Sequence, residues 1–257
     1  MKPEIHILGL SIKTFGVAFA CGFLASGAIV ARRLKELGKP VDWAYEITFA
    51  ALVGGLVGSR GYYLVQNWST VKHDLLGSIF SGSGLVWYGG AIGGAICVLA
   101  WAYWRGFLNV RLLDLCAIPL ALGYAIGRIG CQISGDGDYG KPFNGFTAMG
   151  YPHGTLPTPP GVTVYPTPVY ETVAMGLGAW FLWRLRDRVR PGLIFAGYLM
   201  IAGIERFLIE FLRRNHRGFA GLTTPQFESL AMLAAGLIWV AFALRRSGGA
   251  WAPSPAA

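Results

Sequence analysis

Long apolar runs alternate along this chain with short polar, basic or Gly/Pro-rich intervals. Seven runs stand out, at approximately Thr14–Ala31, Tyr45–Val65, Val86–Trp104, Leu112–Ile129, Val169–Leu185, Gly192–Phe211 and Pro225–Leu244. Roughly 20 residues, rising about 1.5 Å each, cross a hydrocarbon core about 30 Å thick, and the runs approach that length. The pattern therefore predicts an all-α polytopic membrane protein with seven transmembrane helices. The first run lacks a small-residue cleavage pattern and others follow it, so it is expected to be a retained helix rather than a signal peptide. One interval is different. From Asp136 to Pro168 the chain carries Pro142, Pro152, Pro157, Pro159, Pro160, Pro166 and Pro168 among several glycines. Prolines disfavour helix, and an irregular stretch of this length reads as a cap rather than a connector.

Composition agrees with a membrane setting: 54% of residues are hydrophobic and only 14% charged. The net charge of +9 does not point to nucleic acid, because the basic residues mostly flank apolar runs, where they set topology and meet anionic lipid. Arg32, Arg33, Lys35 and Lys39 follow run one; Arg105 and Arg111 follow run three; Arg184, Arg186, Arg188 and Arg190 follow run five; Arg245 and Arg246 follow run seven. The alternate intervals hold only Lys2, Lys13, Lys72, Lys141, Arg214 and Arg217. The positive-inside rule then places the N-terminus in the periplasm and the C-terminus in the cytoplasm, with the cap (about residues 136–168) facing outward. A single integral membrane domain is expected over residues 1–246, with a disordered tail at 247–257.

Arg60, Arg128, Arg206 and Arg213 remain at or near membrane depth, where an arginine costs about 2.5–3.5 kcal/mol on insertion scales unless it is partnered. Arg128 lies in the stretch Gly127-Arg128-Ile129-Gly130-Cys131-Gln132-Ile133-Ser134-Gly135-Asp136-Gly137-Asp138-Tyr139-Gly140. Its glycines permit close backbone approach and positive φ, and Asp136 and Asp138 supply carboxylates. In run six, Arg206, Glu210 and Arg213 are spaced i, i+4, i+7 and share a helix face. Two arginines to one glutamate leave net positive charge, which suits an anionic lipid headgroup, since the guanidinium fork holds a phosphate through two hydrogen bonds. Tyr170 and Glu171 open run five near the level of Arg128; Glu171 reads first as an ion-pair partner.

The remaining features have blander readings. Gly54, Gly55, Gly58 and Ser59 in run two, and Gly89, Gly90, Gly93 and Gly94 in run three, form small-xxx-small pairs for close helix packing. Tyr88 is either an interfacial aromatic or a hydroxyl pointing into a glycine-lined cleft. Gln226 and Ser229 suggest helix–helix hydrogen bonds, and Asp114 a helix cap. Cys21, Cys97 and Cys116 lie in apolar runs as packing residues, while Cys131 sits inside the Arg128 stretch. His6, His73, His153 and His216 have no ligand spacing, so neither metal nor cofactor is expected.

Taken in order, these segments resemble the bacterial prolipoprotein diacylglyceryl transferases. The resemblance runs from Gly58-Ser59-Arg60 and Gly89-Gly90-Ala91-Ile92-Gly93 to the Gln226/Ser229 pair. It is most specific at Gly127-Arg128-Ile129-Gly130 with Ser134-Gly135-Asp136, at Tyr170-Glu171 and at Arg206 to Arg213. It implies an inner-membrane enzyme that moves the diacylglyceryl group of phosphatidylglycerol to the lipobox cysteine of a prolipoprotein, whose signal peptide is then a partner. By the same resemblance Arg128 and Arg206 engage the lipid phosphate, and Glu210 and Arg213 order that face. Arg60, Gly89, Gly90, Tyr170 and Glu171 belong to the headgroup site, with Tyr88 and Asp136 candidates for the acceptor chemistry. The chain departs from the family pattern at Tyr88 (commonly histidine), Cys131 (asparagine), Phe15 (tyrosine) and Asp136 (glutamate), and Gly137-Asp138 lengthens the motif by about one residue. Two other readings stand beside this one: a phospholipid-dependent transferase with a different acceptor, and a non-catalytic lipid-binding membrane protein.

Overall fold

The apolar runs fold as helices because a helix satisfies its backbone hydrogen bonds internally in an apolar setting, and packing tolerates the interior glycines and Pro119. In the computed structural model, which describes residues 1–7, 10–72 and 86–247, the helices are α1 (Thr14–Glu36), α2 (Trp43–Gln66), α3 (Trp87–Trp104), α4 (Val110–Ser134), α5 (Thr167–Leu185), α6 (Leu193–Ile209) and α7 (Thr224–Ser247). A single turn, Trp68–Val71, follows α2. Ahead of α1, strands β1 (Glu4–Ile7) and β2 (Leu10–Lys13) form an antiparallel hairpin that pairs Ile5 with Ile12. The apolar pattern hid it, because four-residue strands lie below the length at which alternation is legible. The tail expected to be disordered lies outside the described residues except for Ser247.

Seven helices are not seven membrane spans. Among the described residues, three are long and apolar enough to cross a bilayer: Thr14–Glu36, Val110–Ser134 and Thr224–Arg245. The seven-transmembrane expectation is corrected accordingly. Length disqualifies α6, whose 17 residues reach about 26 Å at 1.5 Å per residue, and Tyr88–Trp104 of α3 ranks only as a shorter apolar helix. Dilution accounts for the others. Glu46, Arg60 and a run of glycines and tyrosines interrupt α2, and Glu171 and Arg184 interrupt α5.

The chain forms two units, Met1–Ile29 with Leu113–Ala257, and Val30–Leu112. In the second unit α2 and α3 meet along a glycine seam. A Cβ on Gly89 would stand 2.3 Å from the Gly58 carbonyl oxygen, and one on Gly93 would stand 2.3 Å from that of Gly54. Only glycine tolerates such an approach. At the far end of that seam Glu46 accepts hydrogen bonds from Trp101 (2.7 Å) and Arg105 Nε (2.8 Å), beneath an edge-on Trp43–Trp101 pair.

In the first unit α4 packs on α5 and α6 through Ala117, Ile118, Leu182 and Ile194, and through Ala121, Ala125, Met175 and Ala179. Asp114 is a cap, though not of its own helix. Its carboxylate accepts the backbone N–H groups of Gly192 (2.5 Å) and Phe195 (2.9 Å), at the start of α6. Gln226 and Ser229 make local bonds where cross-helix ones were expected. Gln226 accepts from the Thr223 N–H (3.0 Å), and Ser229 donates to the Pro225 carbonyl (2.6 Å). Between α4 and α5 the irregular stretch folds over buried Tyr139, Tyr151 and Val164, with the two tyrosine rings stacked at 4.7 Å. Tyr151 donates to Gln132 (2.8 Å) and Tyr139 to the Leu156 carbonyl (3.0 Å), which ties the stretch to the end of α4.

Candidate active site

Glu171 is the hub. It sits in the first turns of α5, and its side chain is wholly buried. Its Oε1 accepts a hydrogen bond from the Tyr124 hydroxyl (2.9 Å) and lies 3.2 Å from Arg128, 3.3 Å from Arg206 and 3.5 Å from Arg213. A buried carboxylate is costly unless it is paired and hydrogen-bonded, and here three guanidiniums and a phenol hydroxyl surround it. Expected as one partner of one arginine, Glu171 instead gathers three. Tyr124 was not anticipated, although it lies one helical turn before Arg128 on α4, with its ring 4.9 Å from that guanidinium.

A second carboxylate closes the cluster. Asp138 pairs through Oδ2 with Arg128 and through Oδ1 with Arg213 at 2.5 Å. Arg206 reaches Glu210 at 3.2 Å, and Glu210 accepts a hydrogen bond from Asn215 at 2.6 Å. The i, i+4, i+7 face was only half right. Helix α6 ends at Ile209, so Arg213 arrives on the following turn. That turn is held by Lys141, whose backbone N–H donates to the Leu212 carbonyl and whose Nζ donates to the Phe211 carbonyl, both at 2.8 Å. The expected surplus of positive charge is also corrected. Arg128, Arg206 and Arg213 form ion pairs with Asp138, Glu171 and Glu210, three basic side chains to three acidic ones, and Glu205 stands beside them as a further acid.

Hydrogen bonding in the cluster is incomplete. Among the described residues Glu171 Oε2, Glu210 Oε2 and Arg213 Nη1 are buried without a hydrogen-bond partner, the last two held only by ion pairs, an arrangement that a ligand can complete. Beside it, Asp136 and Asp138 titrate in opposite directions. Burial, with the neighbouring Asp138 charge, raises the Asp136 carboxyl above the usual range. Burial also works against the Asp138 charge, but Arg213 and Arg128 outweigh it and hold that carboxyl low. Cys131 joins these two acids in a group of potential metal ligands. Both Asp138 oxygens already face guanidiniums, so a cation there would have to displace fixed positive charge.

Tyr170 is on α5 beside Glu171, with its hydroxyl bonded to Thr147. The other predicted residues belong to the second unit. Arg60 lies on α2 with its guanidinium 5.2 Å from the Tyr63 ring. Tyr88, on α3, is 40% exposed. Gly89 is buried against Gly58, and a Cβ on Gly90 would meet the Gly55 carbonyl oxygen at 3.4 Å; both face α2.

A family profile described as prolipoprotein diacylglyceryl transferase matches residues 3–242. The chain belongs to that family. It is 32% identical over 247 residues to the phosphatidylglycerol–prolipoprotein diacylglyceryl transferase of Clostridium tetani, covering 92% of this chain and 96% of the relative. A second such protein from Clostridium perfringens is 31% identical, covering 91% of each chain. The Methylococcus capsulatus protein of the same name is 31% identical, covering 92% and 93%. Family membership and the three long apolar helices together make this a multi-pass membrane protein of a transferase family. Within that family, the departures from the common pattern now have positions. Cys131 Sγ is 3.7 Å from Asp138 and 3.8 Å from Arg128. Phe15 begins α1, where its ring stands 3.4 Å from a Cβ built on Gly130.

Proposed function

We propose that this chain transfers the diacylglyceryl group of phosphatidylglycerol to the lipobox cysteine of a secreted prolipoprotein. The acceptor sulfur attacks the glyceryl carbon that bears the phosphate. A C–S thioether bond forms, the C–O bond breaks, glycerol phosphate leaves with the electron pair, and the thiol proton passes to a base. The observation that carries this reading is the convergence of Arg128, Arg206 and Arg213 on one buried carboxylate in a member of this family.

Arg128 and Arg206 grip the departing phosphate, on which negative charge concentrates in the transition state; fixed guanidiniums in a water-poor site stabilise that charge strongly. Glu171 and Glu210 hold the two arginines in place, and Arg213 brings a third guanidinium to the same face. Tyr170, next to Glu171 on α5, belongs to the headgroup site as well, and Arg60, Gly89 and Gly90 are assigned to headgroup binding by the family resemblance. Asp136, whose carboxyl is raised by burial, is the candidate to receive the thiol proton, and the Tyr88 hydroxyl is the candidate to position the acceptor. The working unit is one integral membrane domain over residues 1–246 in the bacterial inner membrane. Its N-terminus and the 136–168 cap are periplasmic and its C-terminus cytoplasmic, as the basic residues beyond α1, α3 and α7 require.

The test is complementation. The chain is expressed where the housekeeping transferase is depleted, and a reporter lipoprotein is analysed by mass spectrometry. A diacylglyceryl mass on the lipobox cysteine is expected. Growth arrest with an unmodified reporter would reject this reading. It would favour a different acceptor, the alternative that Tyr88 and Cys131 support.

A further inference from the structure

Every arginine of the cluster is already matched by an ion-paired carboxylate, and Glu205 adds a further acid beside them. Adding a phosphate to three guanidiniums and three carboxylates would leave an uncompensated negative charge in a largely buried site, which is costly where the surroundings screen poorly. A phosphate therefore binds well only if a carboxylate withdraws. Glu171 and Glu210 cannot do so easily, since both side chains are fully buried. Asp138 differs: its side chain is 33% exposed and borders a cavity of about 240 Å³ lined by Gly137, Tyr139, Arg213, Arg214 and Asn215.

We propose that Asp138 holds the place of a phosphate ester between Arg128 and Arg213, and that ligand binding exchanges one anion for the other. Its two oxygens each take a guanidinium from a different segment, as two oxygens of a phosphate would. Arg213 Nη1, 3.5 Å from Glu171 and buried without a hydrogen-bond partner among the described residues, can donate to a further phosphate oxygen. The backbone stays where it is. The Asp138 carbonyl accepts the Thr167 hydroxyl at 2.6 Å, and the Gly140 N–H donates to the Tyr165 carbonyl at 2.8 Å. Exchange is then a rotation of one short side chain between staggered wells, towards Arg214 and Asn215 across the cavity. Gly137, at φ +95°, lets the chain turn into this geometry without a side chain of its own. The exchange replaces one anion with another, so Asp138 lowers the site's affinity for every phosphate ester while preventing a basic pocket from standing empty. It sets the concentration of headgroup at which the site fills.

This inference deepens the phosphate-binding part of the proposed function, and it is tested by binding rather than turnover. Full-length wild type, Asp138→Asn and Asp138→Ser, in phosphatidylcholine nanodiscs, are titrated separately with inorganic phosphate and, by doping, with phosphatidylglycerol. Both variants are expected to bind about 10-fold or more tightly than wild type, while melting at lower temperature without ligand. A structural role alone would weaken binding, never tighten it. Unchanged or weaker binding of both probes overturns the proposal. Tightening for phosphatidylglycerol assigns the place to a lipid headgroup; tightening for inorganic phosphate alone assigns it to a free phosphate ester. Should neither variant fold, wild type carries the test through Cys131, 3.7 Å from Asp138. Its rate of thiol modification, followed by peptide mass spectrometry, is expected to change saturably with phosphate, and an unresponsive rate overturns the proposal. Failed complementation with this binding pattern intact would reject the transferase reading alone.

Discussion

Where α2 meets α3, side chains have been removed; where α4, α5 and the turn after α6 converge, charged ones have been crowded in. At the first seam Gly58 and Gly89 bring carbonyl oxygens to 2.3 Å from the place of the other's absent Cβ. At the second, Arg128, Arg206 and Arg213 surround Glu171 and Asp138 within hydrogen-bonding or ion-pair distance. Dispersion between close backbones holds the first and falls away steeply with distance, so it tolerates no added atom. Mutual neutralisation holds the second. It tolerates changes of shape better than changes of charge, because a lone buried charge costs more than the pair contributes. One region is rigid by shape, the other by charge balance.

The most severe break is expected at the seam. Gly58→Leu or Gly89→Leu drives a side chain into backbone that cannot yield, and folded protein should fail to accumulate in membranes, as read by detergent extraction and size-exclusion chromatography. Next comes the cluster: Arg128→Lys and Arg206→Lys keep the charge and lose the fork, and should cut transfer in phosphatidylglycerol vesicles by about 10²-fold or more with folded yield intact. Near-normal activity in both would remove the phosphate grip from the proposal. Tyr88→Phe is expected to lower transfer by roughly 10²-fold as well, since it deletes only the hydroxyl. Full activity would make Tyr88 a packing residue and leave Asp136 as the base.

Smaller effects separate the two acids. The carboxyl of Asp138 is held low, so its stabilising contribution is complete above the usual carboxylate pKa near 3.9 and is lost as pH falls through its lower folded value. For Asp136, held high, the sign is opposite: ionisation weakens the fold as pH rises through its folded value. At pH 7 Asp138→Asn should therefore lower the melting temperature and Asp136→Asn raise it. Shifts of the same sign would mean that Arg128 and Arg213 do not discriminate between them. Smallest of all is Gly61→Ala. It lies on α2 with nothing among the described residues within 4 Å of a built Cβ, and the change should leave activity unaltered and stabilise the helix by about 0.5–1 kcal/mol.

Much of this was legible beforehand. Apolar periodicity marked seven helical stretches, and the rarity of charge inside them singled out Arg128, Arg206 and Arg213. The small-residue spacing at Gly54/Gly58 and Gly89/Gly93 marked a close seam. What misled was the step from helix to span. A run of 17 residues looks like its 20-residue neighbours in composition, and only the observed helix ends reveal that α6 is too short and that Tyr88–Trp104 of α3 ranks as a shorter apolar helix. The hairpin at Glu4–Lys13 escaped because four-residue strands carry almost no period.

The amino-acid sequence by itself determined which groups had to be accommodated: arginines that cannot lose their charge, acids near enough in composition to balance them, and glycines wherever helices were to touch. Tertiary structure alone decided the pairing. Asp138 is 75 positions from Arg213, and Glu171 is 47 from Tyr124, separations at which no local periodicity operates. Local spacing speaks for residues three or four apart on one helix. A charge balance spread over α4, α5 and the turn after α6 exists only once those elements are packed, and so does the ion pairing that makes a phosphate compete with Asp138.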